Sequence, residues 1–180
     1  CRKYVGYPPL WVDPGSYTGM PIHYRNPSDV GADRIVNGVA AFEKYRQSLI
    51  VIDFGTATTF DSISENGEYL GGAISPGIKI AAEALFMKAS KLPRVEIYRA
   101  PASVIGKDTA ASIQSGIIYG YAALVDGMVR RMALEMGGSP KVIATGGLAP
   151  LMKDVAESIE EVDATLTLEG LRIISDAMND

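Results

Sequence analysis

The sequence predicts an α/β fold, and three stretches carry that prediction. Leu49-Ile50-Val51-Ile52 is a short, mostly β-branched apolar run that reads as a strand buried on both faces. Asn66-Gly67, set between apolar segments, is a strong hairpin signal. From residue 108 to 135, Ile113, Ile117, Tyr121, Leu124, Met128 and Met132 recur at steps of four and three, the period of a helix.

Residues 1–30 are broken by Pro8, Pro9, Pro14, Pro21 and Pro27 and hold Tyr4, Tyr7, Trp11, Tyr17 and Tyr24. They read as an irregular segment, either packed over a core or trailing from an earlier domain. A helix follows, with Ile35, Val39 and Phe42 as its apolar stripe. Asp33 and Arg34 open it after Gly31-Ala32. A carboxylate in a first turn complements the helix dipole, and the small pair before it leaves room for a ligand.

The strand at 49–52 ends on Asp53, and Gly55 comes two residues later, followed by Thr56, Thr58 and Thr59. A glycine lets the backbone turn tightly and lets a ligand approach. Two readings stay open: a hydroxyl-lined turn for a phosphate with Asp53 holding a cation beside it, or a hairpin whose Asp and Thr satisfy only turn hydrogen bonds.

Strands are expected at 60–64 and 69–74, making three consecutive antiparallel strands. A helix from 78 to about 91 would carry Ile80, Ala81, Leu85 and Met87 until Pro93 stops it, and 92–107 read as a loop. Asp108 or Thr109 would cap the long helix, which is expected to be largely buried or in a subunit contact; Gly116 and Gly120, four apart on it, permit close approach of another backbone. Lys141–Ala144 reads as a strand ending in Thr145-Gly146-Gly147. After it come a helix at 149–159, a strand at 164–167 and a helix at 171–178.

Composition narrows the function classes. At 180 residues and 19.2 kDa the chain can form one sizeable core or two small lobes. A net charge of −4 with no long basic run argues against nucleic-acid and membrane-surface partners. Cys1 and His23 are the sole residues of their types, which excludes an internal disulfide, a zinc cluster and a multi-histidine metal site, and leaves acid–base work to carboxylates. With no apolar run near the roughly 20 residues that span a bilayer and no signal-peptide pattern, a cytoplasmic location is expected. The chain starts without Met in a loop-like stretch, so further residues are expected upstream.

Six motifs then fall in register: NPSDVGADR, IDFGTATTFD, GGAISPG, IGKDTAASIQSGIIYG, ATGGLA and LTLEGL. From about Tyr24 to Leu171 the chain resembles type III pantothenate kinase, a family that includes proteins described as Bvg accessory factors. The resemblance implies a ribonuclease-H-like, actin-like ATPase lobe, with a mixed sheet flanked by helices. It implies residues 1–47 as the tail of a first lobe with the substrate run and a connecting helix, and 48–180 as the second lobe. The implied reaction moves the ATP γ-phosphate to pantothenate, giving 4′-phosphopantothenate for coenzyme A synthesis.

Residue by residue, the resemblance makes Gly31, Ala32, Asp33 and Arg34 the pantothenate-binding run, with Asp33 the proton acceptor. Tyr24 and Thr109 match substrate contacts, and Asp53 the ligand of a potassium or ammonium ion. Gly55 and Thr56 fall at the ATP phosphates, and Thr145, Gly146 and Gly147 resemble the adenosine loop. Magnesium would arrive with ATP, and family members are homodimers whose substrate pocket is completed across the subunit contact. Arg34 would either grip the pantothenate carboxylate with a fork of N–H bonds or form a structural ion pair.

The family's Asp-x-Gly-Asn-Thr loop, which holds ATP phosphates and magnesium, has no counterpart in these 180 residues. It is expected upstream of Cys1, and the stretch by itself is expected to lack turnover. The competing classes are another small-molecule kinase or phosphatase of the superfamily, and a non-catalytic nucleotide-binding or regulatory homologue.

Overall fold

The computed structural model describes residues 6, 9, 11, 12, 18–89 and 91–179. The expectations placed on Cys1, Tyr4, Tyr7, Pro8, Pro14 and Tyr17 lie outside them.

Five strands form one mixed sheet: β1 (Leu49–Phe54), β2 (Ala57–Ile63), β3 (Tyr69–Pro76), β4 (Lys141–Thr145) and β5 (Glu161–Val162), in the order β3-β2-β1-β4-β5. β1, β2 and β3 run antiparallel as consecutive hairpins, and the second turn uses Gly67 at φ +81°. β4 lies parallel to β1, with Asp53 opposite Thr145, and β5 lies parallel to β4.

The centre of the sheet is buried on both faces because its apolar residues do not alternate with polar ones. Ile50, Ile52, Phe54 and Phe60 pack with Ile117, Ile118, Tyr121 and Val125 of helix α3 (Thr109–Met136) and with Ile78, the first residue of helix α2 (Ile78–Lys88). On the opposite face, Leu49, Val51, Ile63, Tyr69 and Ile143 meet Ile35, Val36 and Val39 of helix α1 (Ala32–Tyr45) and Leu166 and Ile174 of helix α5 (Leu166–Asn179). Helix α1, expected to connect two lobes, is part of the core under β1. Between β4 and β5 lies a short helix α4 (Ala149–Lys153).

Several expected boundaries move. Thr58 and Thr59 belong to β2, not to the turn before it, because pairing with β1 begins at Thr58 opposite Phe54. Helix α2 ends at Lys88, well before Pro93, and Ile80, Leu85 and Met87 on it are exposed; Ala81 and Ala82 pack the core instead. Helix α3 is capped by Asp108, whose carboxylate accepts the Ala111 N–H at 2.8 Å. Its expected stripe is only partly the core face: Ile113, Leu124, Met128 and Met132 are partly buried, while Ile118, Ala122 and Val125 lie deeper.

The helix expected at 149–159 stops at Lys153. Beyond it, Asp126 of α3 accepts the backbone N–H groups of Glu157 and Ser158 and so holds the chain out of helical pairing. The strand expected at 164–167 is instead a turn and the start of α5. Asp163 accepts both the N–H and the hydroxyl of Thr165, a local bond that favours a turn over a ladder. The strand lies earlier, at Glu161–Val162.

Candidate active site

Two glycine turns sit side by side at the carboxyl ends of β1 and β4. After Phe54 the chain reverses over Gly55-Thr56 into β2, and after Thr145 it passes through Gly146-Gly147 into α4. The pairing of Asp53 with Thr145 holds the two turns together. Gly55 and Thr56 are exposed. The Gly55 N–H is spent on Ala57 O at 3.0 Å, so the turn offers fewer free N–H groups than its sequence suggested. Thr58 is fully buried with no partner for its hydroxyl among the described residues, and Thr59 donates to Asp61 at 3.2 Å; neither lines the turn. Thr145 is buried in β4, which leaves Gly146 and Gly147 as its loop's accessible part.

Asp53 is half-buried between these turns. A Cβ added to Gly146 would fall 2.6 Å from its Oδ1, and one on Gly55 would fall 3.6 Å from it. Burial pushes the Asp53 carboxyl above its ordinary range, a hydrogen bond from Asn37 pulls it down, and the negative charge of Asp33 pushes it up again. Asp33 opens α1 one turn before Asn37, and Asn37 is the residue that donates to Asp53. Asp33 is exposed, and its Oδ1 accepts the Arg34 N–H at 2.9 Å. Gly31 caps α1 without a side chain, and a Cβ there would fall 2.5 Å from the same carboxylate oxygen. Ala32 follows, partly buried.

Sequence reasoning missed the residues that hold these groups. Buried Asn37 donates to Asp53 Oδ2 at 3.3 Å and accepts from the Thr167 hydroxyl at 2.7 Å, tying β1, α1 and α5 together. Helix α5 comes this close because Gly170 faces Val36, where a Cβ would fall 2.2 Å from the carbonyl oxygen. Arg34 is buried and donates from Nε to fully buried Asp61 at 2.7 Å, which realises the structural ion pair. Its Nη2 is buried without a hydrogen-bond partner among the described residues, and a buried unmade bond costs about 1–3 kcal/mol. Burial raises the Asp61 carboxyl, against the pull of Arg34 and of the Tyr69 and Thr59 hydroxyls. Polar residues at i and i+3, Arg34 and Asn37, inside a helix buried from 34 to 41 were the available signal.

Tyr24 packs its ring 6.4 Å from that of Tyr69, next to Arg34. Thr109 is exposed at the start of α3; among the described residues no hydrogen bond joins it to the Asp33–Asp53 neighbourhood. Also among the described residues, no group of three or more His, Cys, Asp and Glu could hold a metal ion. Asp53 is the carboxylate set between the two turns, and it offers fewer anionic oxygens than a divalent cation's usual site supplies.

Comparison with known proteins gives this geometry its context. Residues 1–131 match the family model described as type III pantothenate kinase. A type III pantothenate kinase of Desulfatibacillum aliphaticivorans is 69% identical over 179 residues, covering 99% of this chain and 70% of that protein. One from Desulforapulum autotrophicum is 68% identical over 177 residues, covering 98% of this chain and 68% of that protein. Among solved structures, a Baf-family protein of Campylobacter jejuni superposes with a TM-score of 0.65 at 23% identity, covering 91% of this chain and 71% of its own, a likeness of fold.

Proposed function

The chain belongs to the type III pantothenate kinase family, and on that premise we propose that the neighbourhood of Asp33 and Asp53 is where it transfers phosphate. The fold is the actin-like ATPase lobe, and the function is that of an ATP-dependent pantothenate kinase. The observation that carries the site assignment is the Asp53 carboxylate set between two glycine turns at one end of the sheet and held there by Asn37 of α1, the helix that Asp33 opens.

Phosphoryl transfer needs positioning and charge neutralisation more than covalent help. Asp33 is the proton acceptor: exposed at the mouth of the site, it takes the proton from the pantothenate hydroxyl as that oxygen attacks the γ-phosphate. The exposed Thr56 hydroxyl donates to a phosphate oxygen, and Gly55, Gly146 and Gly147 let ATP approach the backbone. Asp53 holds a potassium or ammonium ion, which when bound offsets phosphate charge; magnesium enters with ATP as part of the substrate. Gly31, Ala32, Arg34 and Tyr24 form the pantothenate side, with Arg34 supplying positive charge for the carboxylate end.

Thr109 joins the substrate site in a homodimer built on α3. Gly116, Gly120 and Gly127 on that helix face open space, and Val104 and Ile105 beside it are 64% and 70% exposed. Net charge argues against a nucleic-acid partner, and no helix among the described residues is long and apolar enough to cross a membrane. We place the enzyme's work in the cytoplasm.

The test is Asp33→Asn in the full-length protein. Loss of the proton acceptor lowers kcat by about 10²-fold or more, while the melting temperature stays near wild type because Asp33 is exposed. Near-normal turnover removes Asp33 from this role.

A further inference from the structure

Asp61 and Tyr69 have no part in the reaction set out above, yet they touch the pantothenate side at several points. Tyr69 N donates to Pro21 O and Tyr69 O accepts from His23 N, both at 2.8 Å, which strings the segment before Tyr24 along the edge of β3. The Tyr24 ring lies against the Tyr69 ring at a 58° tilt. The Tyr69 hydroxyl donates to Asp61 Oδ1 at 2.7 Å, the same oxygen that accepts Arg34 Nε at 2.7 Å. The Arg34 guanidinium sits over the Tyr69 ring, 5.8 Å from its centre. Gly72 makes the arrangement possible: a Cβ there would fall 1.9 Å from Phe60 O and 2.7 Å from Arg34 Nη2.

We propose that Asp61 and Tyr69 are positioning residues of the pantothenate site, holding the Arg34 guanidinium and the Tyr24 ring where the carboxylate end of the substrate is received. The proposal rests on the reading of Arg34 as the group that answers that carboxylate. Two features support it. First, a free arginine side chain loses rotamer freedom when it grips a ligand, and a buried carboxylate that fixes Nε removes that freedom beforehand. Second, Nη2 is left buried and without a partner among the described residues, so the guanidinium retains a donor that they do not satisfy. A bond to a carboxylate oxygen would use it.

The experiment is steady-state kinetics of the full-length protein with pantothenate and with its alcohol analogue pantothenol, which lacks the carboxylate but keeps the hydroxyl that is phosphorylated. Tyr69→Phe keeps the ring and removes only the hydroxyl, so it is the variant that preserves the fold; Asp61→Asn is its stronger companion. Tyr69→Phe is expected to raise KM for pantothenate about tenfold, the size of one hydrogen bond to a charged group. KM for ATP and for pantothenol should move much less, so the preference for the acid over the alcohol shrinks. Arg34→Met is the reference and should erase that preference. If Arg34→Met keeps the preference, the reading of Arg34 is wrong and the proposal falls with it. If Arg34→Met erases it but Tyr69→Phe lowers only the melting temperature, with KM and preference unchanged, the network is a staple and the proposal is overturned.

Discussion

Gly146→Ala is a strong test of how the two turns are built, because its neighbour Gly147 supplies an internal control. Gly146 has φ +91°, and a Cβ there would fall 2.6 Å from Asp53 Oδ1, 2.7 Å from Phe54 O and 2.8 Å from Phe54 C. Forcing alanine into a left-handed conformation costs roughly 1–3 kcal/mol. Two of the three contacts are backbone atoms of β1 that cannot swing away, and overpacking of that kind costs a further 1–3 kcal/mol or so. A total of roughly 2–6 kcal/mol corresponds to a melting-temperature drop on the order of 4–24 °C for a chain of this size. Relief of the clash would push apart Asp53 and Thr145, the last pair of the β1–β4 ladder, and with them the Asp53 carboxylate. Gly147 has nothing within 4 Å of the added atom, so Gly147→Ala should stay within about 0.5 kcal/mol of wild type. Differential scanning calorimetry on both variants is the assay. If the two melt together, or Gly146→Ala melts with wild type, the packing of Asp53 against the second turn is not as described here.

Asp53→Ala should abolish a dependence on potassium or ammonium in two readouts at once, turnover and the extra thermal stability that binding of the ion confers; wild-type protein that behaves alike in sodium and potassium counts against the cation role. For pH dependence the informative residue is Asp163. Burial works to raise its carboxyl, but Lys44 at 2.7 Å and the Thr165 N–H and hydroxyl outweigh it and hold the group below its ordinary range. A lowered folded value contributes stability that is present above the unfolded value, about 3.9, and is lost as pH falls through the folded one. Asp163→Asn should therefore lower the melting temperature at neutral pH and flatten its fall in acid, whereas parallel melting curves would show that the Lys44 clasp contributes nothing. The raised carboxyls of Asp53 and Asp61 act with the opposite sign, gaining stability as pH falls. Sedimentation of the full-length protein at micromolar concentration should give a dimer, and a strict monomer would confine the apolar residues of α3 to its own core.

The sequence by itself determined the parts of this protein that depend on local chemistry. The short β-branched apolar run favoured a buried strand, Asn66-Gly67 a turn, and the step of four and three a helix, because each pattern leans toward one local form. The family motifs also pointed to the candidate residues, of which Asp53, Gly55, Thr56, Gly146 and Gly147 come to lie at the carboxyl ends of β1 and β4. Tertiary structure decided what distant partners control. Pairing with β1 drew Thr58 and Thr59 out of the turn, and Asp126, far away on α3, ended the helix after β4. Close approach at Gly170 laid α5 on α1, where Thr167 reaches Asn37 and through it Asp53. The partner that fixes Arg34 is Asp61, 27 residues away. A buried charge takes whichever partner the packing brings within hydrogen-bond distance, and no period or spacing along the chain encodes that meeting.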